Sequence, residues 1–443
     1  MPVNIMRSSA PRVSSFVKDA CLPLADTVLA DDFESQLDRF YSRGTSDRPM
    51  LIDFGAADFV EVAALVNCVA TLVQREEQCQ PTFIALPSDR RVRDFFKVWR
   101  FAEAVLTSTG RNIANFLVSE DQRFIGEPQE TYTGQGDALS KLEFDPDWEP
   151  GKKTSRNFFE FTTFKDSDAE RIGPEGKLAS AAREEGKKWT RPLIQQVLEK
   201  HLPGGSTKDE VARVVIYEAM SNAVRHPKAS VILSVSKFER PGERPGAQSG
   251  SLRICLWDDG DGIAFTLMAA LREGRPIRAF GLPSFMSDKV YVTIRNFTKT
   301  KSEHHIVDQA TEITQQVATE PRVLLASLFP GVTRAVRTIV PKVLAFDEAI
   351  EGGGEFGNLM DILGGAPGMG LYALTRTVLD QFGGSLFIRS GNYRMLIEMA
   401  HDTYRKQHGA RYKCKITQYE KHMPSFRGNL LAIQIPVQAQ IRS

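Results

Sequence analysis

Apolar residues in this chain follow two rhythms. From Arg48, apolar runs of strand length (PMLIDFG, PTFIALP) alternate with stretches of helical period (VEVAALVNCVATLVQRE, RRVRDFFKVWRFAEAV). This alternation predicts a small α/β domain within residues 1–120. From about Asp121 to Gly186 the periodicity dissolves into Gly, Pro, Asp, Lys and Ser, with FFEFTTF as a single strand, which predicts a connector over 121–186. Periodic patterning resumes near Lys187 with two helices, WTRPLIQQVLEKHL and DEVARVVIYEAMSNAVRH, separated by PGGSTK. Ser206 or Thr207 is suited to cap the second of them. Strands follow at ASVILSVSKF and SLRICLW, joined by the polar loop ERPGERPGAQSG. Helices followed by strands predict an α+β class, with a sheet covered on one face over 187–443.

Composition narrows the setting. With 443 residues the chain is long for one domain, so two or three are expected. Lys+Arg 56 against Asp+Glu 55 leaves a net charge of +1, and no nucleic-acid or membrane partner is indicated. Cys21, Cys68, Cys79, Cys255 and Cys414 lack metal-type spacing and are expected as reduced thiols in a cytoplasmic protein. The first residues, MPVNIMRSSAPRVSSF, hold no continuous apolar run of the signal-peptide kind, and no segment reaches the length of a membrane span.

Three stretches carry candidate chemistry. In VVIYEAMSNAVRH, Glu218, Asn222 and His226 recur every four residues and so share one helix face with Val211 and Val215. A buried helix whose polar groups satisfy one another has the same pattern, and His226, just before Pro227, also suits a C-terminal cap. In LRICLWDDGDGIAF an apolar strand ends in Asp258, Asp259, Gly260, Asp261 and Gly262. An acidic turn is one account; a calcium loop is not, because the ligand spacing is unmatched. The third stretch, LGGAPGMGLYALTRTVLDQFGG, is a glycine-rich turn running into a helix, which suits phosphate. It lacks the lysine of a P-loop. Gly368 to Ala373 fit the dinucleotide pattern G-x-G-x-x-A, but no buried strand precedes them.

Taken in order, these stretches resemble the three nucleotide-binding boxes of the GHKL ATPases, the Bergerat-fold group that includes gyrase, heat-shock chaperones, histidine kinases and mismatch-repair ATPases. The matches are E-x-x-x-N-A-x-x-H at Glu218 to His226, D-x-G-x-G at Asp258 to Gly262, and G-x-G-L-Y at Gly368 to Tyr372, spanning roughly Lys187 to Val437. The resemblance implies a Bergerat-type α/β sandwich, with a mixed sheet and helices on one face, binding ATP and Mg²⁺. Asn222 would offer its carboxamide oxygen to the metal, and Glu218 would orient or deprotonate the attacking group. Asp258 would accept the adenine amino hydrogen, with Gly260 and Gly262 keeping the loop close. Gly368, Gly370 and Leu371 would form the phosphate edge, and His226 would complete the first box. An enlarged lid is expected over about 275–360, where LLASLFPGVTRAVR is similar to the lid of stand-alone bacterial kinases and Arg334 would approach the γ-phosphate. No histidine sits in a phosphoacceptor box.

The N-terminal domain is similar in element order to the STAS domains of anti-sigma factor antagonists. In those domains a Ser or Thr follows the first strand, whereas here the loop reads DFGAADFVEV and Asp58 stands near that place. A plain docking domain fits equally. The implied function is that of a GHKL-type regulatory ATPase or protein serine/threonine kinase in bacterial-type signalling. The alternative is an ATP-gated interaction module without phosphotransfer. Either implies a protein partner or substrate, and a homodimer stays open.

Overall fold

The computed structural model describes residues 11–13, 16, 20–44, 48–98, 101–118, 121, 162–164, 231–238, 249–273, 289–296, 302–307, 323–325, 327–328, 370–419 and 426–438. The class is α+β, and the chain divides into two compact units: Met1–Phe161 with Arg240–Ala247, and Thr162–Glu239 with Gln248–Ser443. Among the described residues no helix is long and apolar enough to cross a membrane.

Unit 1 runs β1 (Cys21–Pro23), β2 (Thr27–Val28), α1 (Ala30–Ser42), β3 (Met50–Asp53), β4 (Phe59–Val60), α2 (Val62–Glu77), β5 (Thr82–Ala85), α3 (Arg90–Val98) and α4 (Phe101–Thr109). Strands β1, β3 and β5 pair in parallel in that order, with a parallel bridge from Ile84 to Leu117. Parallel neighbours need a crossover, which α1 and α2 supply. From Val62 to Val73 every residue of α2 is buried, so this helix is the centre of the unit.

The unit begins earlier than Arg48, where the apolar pattern first becomes clear. In α1 the core-facing Phe33, Leu37, Phe40 and Tyr41 alternate with acids that are also buried, Glu34 and Asp38. Glu34 accepts a hydrogen bond from Asn67 Nδ2 of α2 at 3.3 Å. At the far end of α2, Arg75 is fully buried. It donates to Thr82 Oγ1 (2.7 Å), Gln80 Oε1 (2.9 Å) and the Arg48 carbonyl (2.7 Å), which ties α2 to the start of β5.

Unit 2 runs β6 (Thr162–Phe164), β7 (Val231–Phe238), β8 (Ser249–Asp258), α5 (Ile263–Arg272), β9 (Lys289–Asn296), β10 (Ser302–Val307), α6 (Gly370–Arg376), β11 (Ser385–Gly391), β12 (Tyr393–Met399), α7 (Asp402–His408), β13 (Ala410–Gln418) and β14 (Phe426–Gln438). Helix α6 continues into a π-helical turn, Thr377–Gln381. One nine-stranded sheet results, in the order β10-β9-β13-β12-β11-β14-β8-β7-β6. It is mixed: β13 and β9 are parallel and every other pair is antiparallel.

Register and burial together define the faces of this sheet. Ile254 and Leu256 of β8, Leu431 and Ile433 of β14, Leu386 and Ile388 of β11, Met395 and Ile397 of β12, and Cys414 and Ile416 of β13 lie in line on one side, all buried. Each such aliphatic side chain contributes about 1.5–3 kcal/mol when fully buried. Both helices meet this same side: the Ala264 N–H of α5 bonds Ser390 Oγ, and Asp380 of the π turn bonds Tyr412. Two stretches inside the span expected as a lid, 289–296 and 302–307, are sheet strands. The alternation in KVYVTIRN explains this, since period two suits a pleated strand.

Candidate functional site

Three polar side chains interrupt the buried face at one end of the sheet. Register places Asp258, Asn429 and Ser390 in a single row across β8, β14 and β11. All three are buried. A polar group in such a place is costly unless bonded, and each of these is bonded. Asn429 Nδ2 donates to Asp258 Oδ2 at 3.1 Å and Oδ1 at 3.3 Å. Its Oδ1 accepts from Ile263 N–H at 2.7 Å, and Ser390 Oγ accepts from Ala264 N–H at 3.3 Å.

Helix α5 is therefore capped from two neighbouring strands. Its own N-cap residue, Gly262, has no side chain to offer, so the orphan N–H groups of the first turn are satisfied from β14 and β11. The turn before it is an Asx turn, with Gly260 N–H donating to Asp258 Oδ1 at 3.1 Å. Gly262 has φ +83°, and a Cβ there would lie 2.9 Å from Ser390 Oγ. Gly428 has φ +75°, and a Cβ there would lie 1.6 Å from the Asp258 carbonyl oxygen. These two glycines let the acidic turn and the start of β14 cross in near contact. Arg427 Nε donates to the Asp259 carbonyl at 2.8 Å across the same crossing.

Asp258, Gly260 and Gly262 thus share one turn, in which Asp258 is a held, buried carboxylate. Gly370 and Leu371 open α6, with Gly370 buried and Leu371 half-buried. Glu218, Asn222, His226, Gly368 and Arg334 lie outside the described residues. In unit 1, Asp58 is exposed, and its N–H donates to the Asp26 carbonyl at 2.8 Å.

Asn429 and Ser390 were not legible as site residues. Each stands in an ordinary strand run, FRGNLLAIQIPV and SLFIRSG, with no motif around it. Only the register of β14 against β8 and β11 brings them beside Asp258. Behind α6 lies a second polar cluster. Asp380 pairs with Arg376 and with Arg411 Nη2 (3.1 Å), and Tyr412 Oη donates to its carboxylate oxygens at 2.8 and 3.0 Å. Burial, with the Asp380 charge adding to it, pushes the Tyr412 phenol well above its usual range.

Comparison with protein-family models, with curated proteins and with solved structures found no match to this chain.

Proposed function

We propose that unit 2 is a GHKL-type nucleotide domain of Bergerat fold that binds ATP with Mg²⁺ and acts as a regulatory ATPase or protein serine/threonine kinase, with a STAS-like unit 1 as the docking domain for a protein partner in a cytoplasmic signalling pathway. The carrying observation is Asp258: a buried carboxylate at a strand end, aimed by Asn429 and by its own Asx turn. A carboxylate held in this way is a strong acceptor for an exocyclic amino group, since hydrogen bonds to ionised groups are the strong ones.

The fold reading is supported by the run of antiparallel neighbours around β8 and by α5 and α6 meeting one face of the sheet. Gly370 at the start of α6 is suited to approach a phosphate, where unpaired N–H groups and the helix dipole favour negative charge. Asn222 would hold the metal through one carboxamide oxygen, a donor suited to a hard cation that keeps its waters and phosphate ligands. Mg²⁺ would supply charge neutralisation on the phosphates. Glu218 would take the proton of the attacking hydroxyl or water.

Calorimetric titration of ATP into the full chain, with and without Mg²⁺, tests this assignment together with turnover. Binding is expected to tighten with Mg²⁺, and Asn222→Ala should lose that gain. Glu218→Ala should bind ATP as wild type does and turn it over at least about 100-fold more slowly. No ATP binding by wild type would overturn the proposal. Unchanged turnover in Glu218→Ala would remove Glu218 as the base.

A further inference from the structure

Unit 2 has a concavity at the opposite end of β11 from the Asp258 row. Ser385 and Ser390 are five residues apart on β11, which separates the two sites by about 17 Å along the strand. The concavity has a volume of about 460 Å³, within the range of small-ligand sites.

Its wall is built from two polar rows. Gln434, Ser385 and Glu398 stand opposite one another across β14, β11 and β12, on the sheet side away from α5 and α6. The second row, His401, Asp402 and Arg405, comes from the turn into α7 and its first residues. Met399 and Pro436 add apolar surface. Glu398 is bonded to Lys413 Nζ at 3.2 Å. Among the described residues, the other five polar side chains have no hydrogen-bond or ion-pair partner. All five line the same space.

Charge decides which ligand class fits. Glu398 and Asp402 are balanced by Lys413 and Arg405, so these four groups give the site no net bias toward a cation or an anion. It nonetheless offers separate centres of both signs. Arg405 presents a planar fork of donors suited to a carboxylate, and Asp402 is suited to an ammonium group. A purely apolar ligand would strip water from six polar side chains without replacing their hydrogen bonds.

We propose that this concavity binds a small zwitterion, an α-amino acid or a peptide end bearing both an ammonium and a carboxylate group. It also adjoins the helix opened by Gly370, because Gly383 and Gly384 follow the π turn after one residue, Phe382. The Ala400 N–H bonds the Arg411 carbonyl at 2.9 Å, and Arg411 in turn pairs with Asp380 of that turn. An occupied site is thus linked to α6 through contiguous backbone and side-chain contacts. The binding proposal itself does not depend on the nucleotide reading.

The test uses the full chain without nucleotide. Each of the twenty L-amino acids and glycylglycine is titrated at millimolar concentration and followed by thermal melting and by saturation-transfer NMR. At least one should raise the midpoint and give ligand signals. Its amide and its N-acetyl derivative should bind at least tenfold more weakly, and so should the parent ligand against Arg405→Ala or Asp402→Asn. These exposed substitutions leave the core untouched, so the variants should melt as wild type does without ligand. If no probe binds wild type, or if binding persists in both variants and with both derivatives, the proposal is overturned.

Discussion

The orientation of Asn429 follows from its neighbours. Its carbonyl oxygen must face the Ile263 N–H and its amino group must face the Asp258 carboxylate, since the reverse would set two donors and two acceptors against each other. Asn429→Leu would leave a buried N–H without its acceptor and take two donated bonds from a buried carboxylate, at a cost of about 3 kcal/mol. Asn429→Asp is more informative, because it sets two carboxylates side by side and raises the pKa of the pair. A carboxyl whose folded pKa lies above its unfolded value adds stability at low pH and loses it as pH rises through the folded value. Urea unfolding should therefore show this variant closer to wild type at pH 5 than at pH 8; an equal deficit at both would contradict the Asn429–Asp258 pairing.

The five thiols are free and differ sharply in access. Cys79 is exposed, Cys68 and Cys414 are pushed up by burial, and Cys21 is pushed up to about 11 by burial and then by the Asp53 charge. Only the thiolate reacts. A thiol reagent at pH 8 should modify Cys79 first, the half-buried Cys21 more slowly because its thiol is raised, and the buried Cys68, Cys255 and Cys414 on the unfolding timescale; fast labelling of Cys68 would contradict the packing of α2. The scattered spacing of these cysteines already indicated free thiols, whereas their burial depended on which helix or strand each one joined.

At the scale of elements, the helix behind the glycine-rich turn is buried along its length and is also tied by polar groups at its far end. Asp380, in the π turn, gathers Arg376, Arg411 and Tyr412, so α6 is pinned to β13. The phenol of Tyr412 is raised by burial and by Asp380, above an unfolded value of about 10. Its contribution is thus complete below about pH 10 and is lost as pH rises beyond that, because the unfolded chain then ionises first. Denaturant titrations from pH 8 to 11 should show wild-type stability falling at the alkaline end and Tyr412→Phe falling less steeply. Parallel slopes would separate Tyr412 from the cluster.

The strands around the acidic turn were readable from their alternation and length, as was the helix that Gly370 opens. The antiparallel pair β12 and β13 was not, because GNYRMLIEMA and ARYKCKITQ mix charged and apolar residues on a sheet with one half-exposed side. Neither was α1, whose buried Glu34 and Asp38 break the apolar rhythm; Glu34 lies inside because α2 offers it the Asn67 amide. Such exceptions to the pattern are tertiary in origin, and a single sequence does not display them.

At the scale of the molecule, a near-neutral chain of two compact units has its two candidate sites in unit 2, at two ends of one sheet. The candidate nucleotide end was legible as motifs, while the row that holds Asp258 required the strand register. The central claim is that this carboxylate accepts the amino group of adenine. ATP and inosine triphosphate differ at that group, which is a carbonyl in inosine. The most direct measurement is equilibrium binding of both nucleotides, with Mg²⁺, to wild type and to Asp258→Asn. Wild type should bind ATP about 10- to 100-fold more tightly than inosine triphosphate, the worth of a hydrogen bond to a buried charge, and Asp258→Asn should lose that preference. Equal affinity of wild type for the two nucleotides, or an unchanged preference in Asp258→Asn, would contradict it.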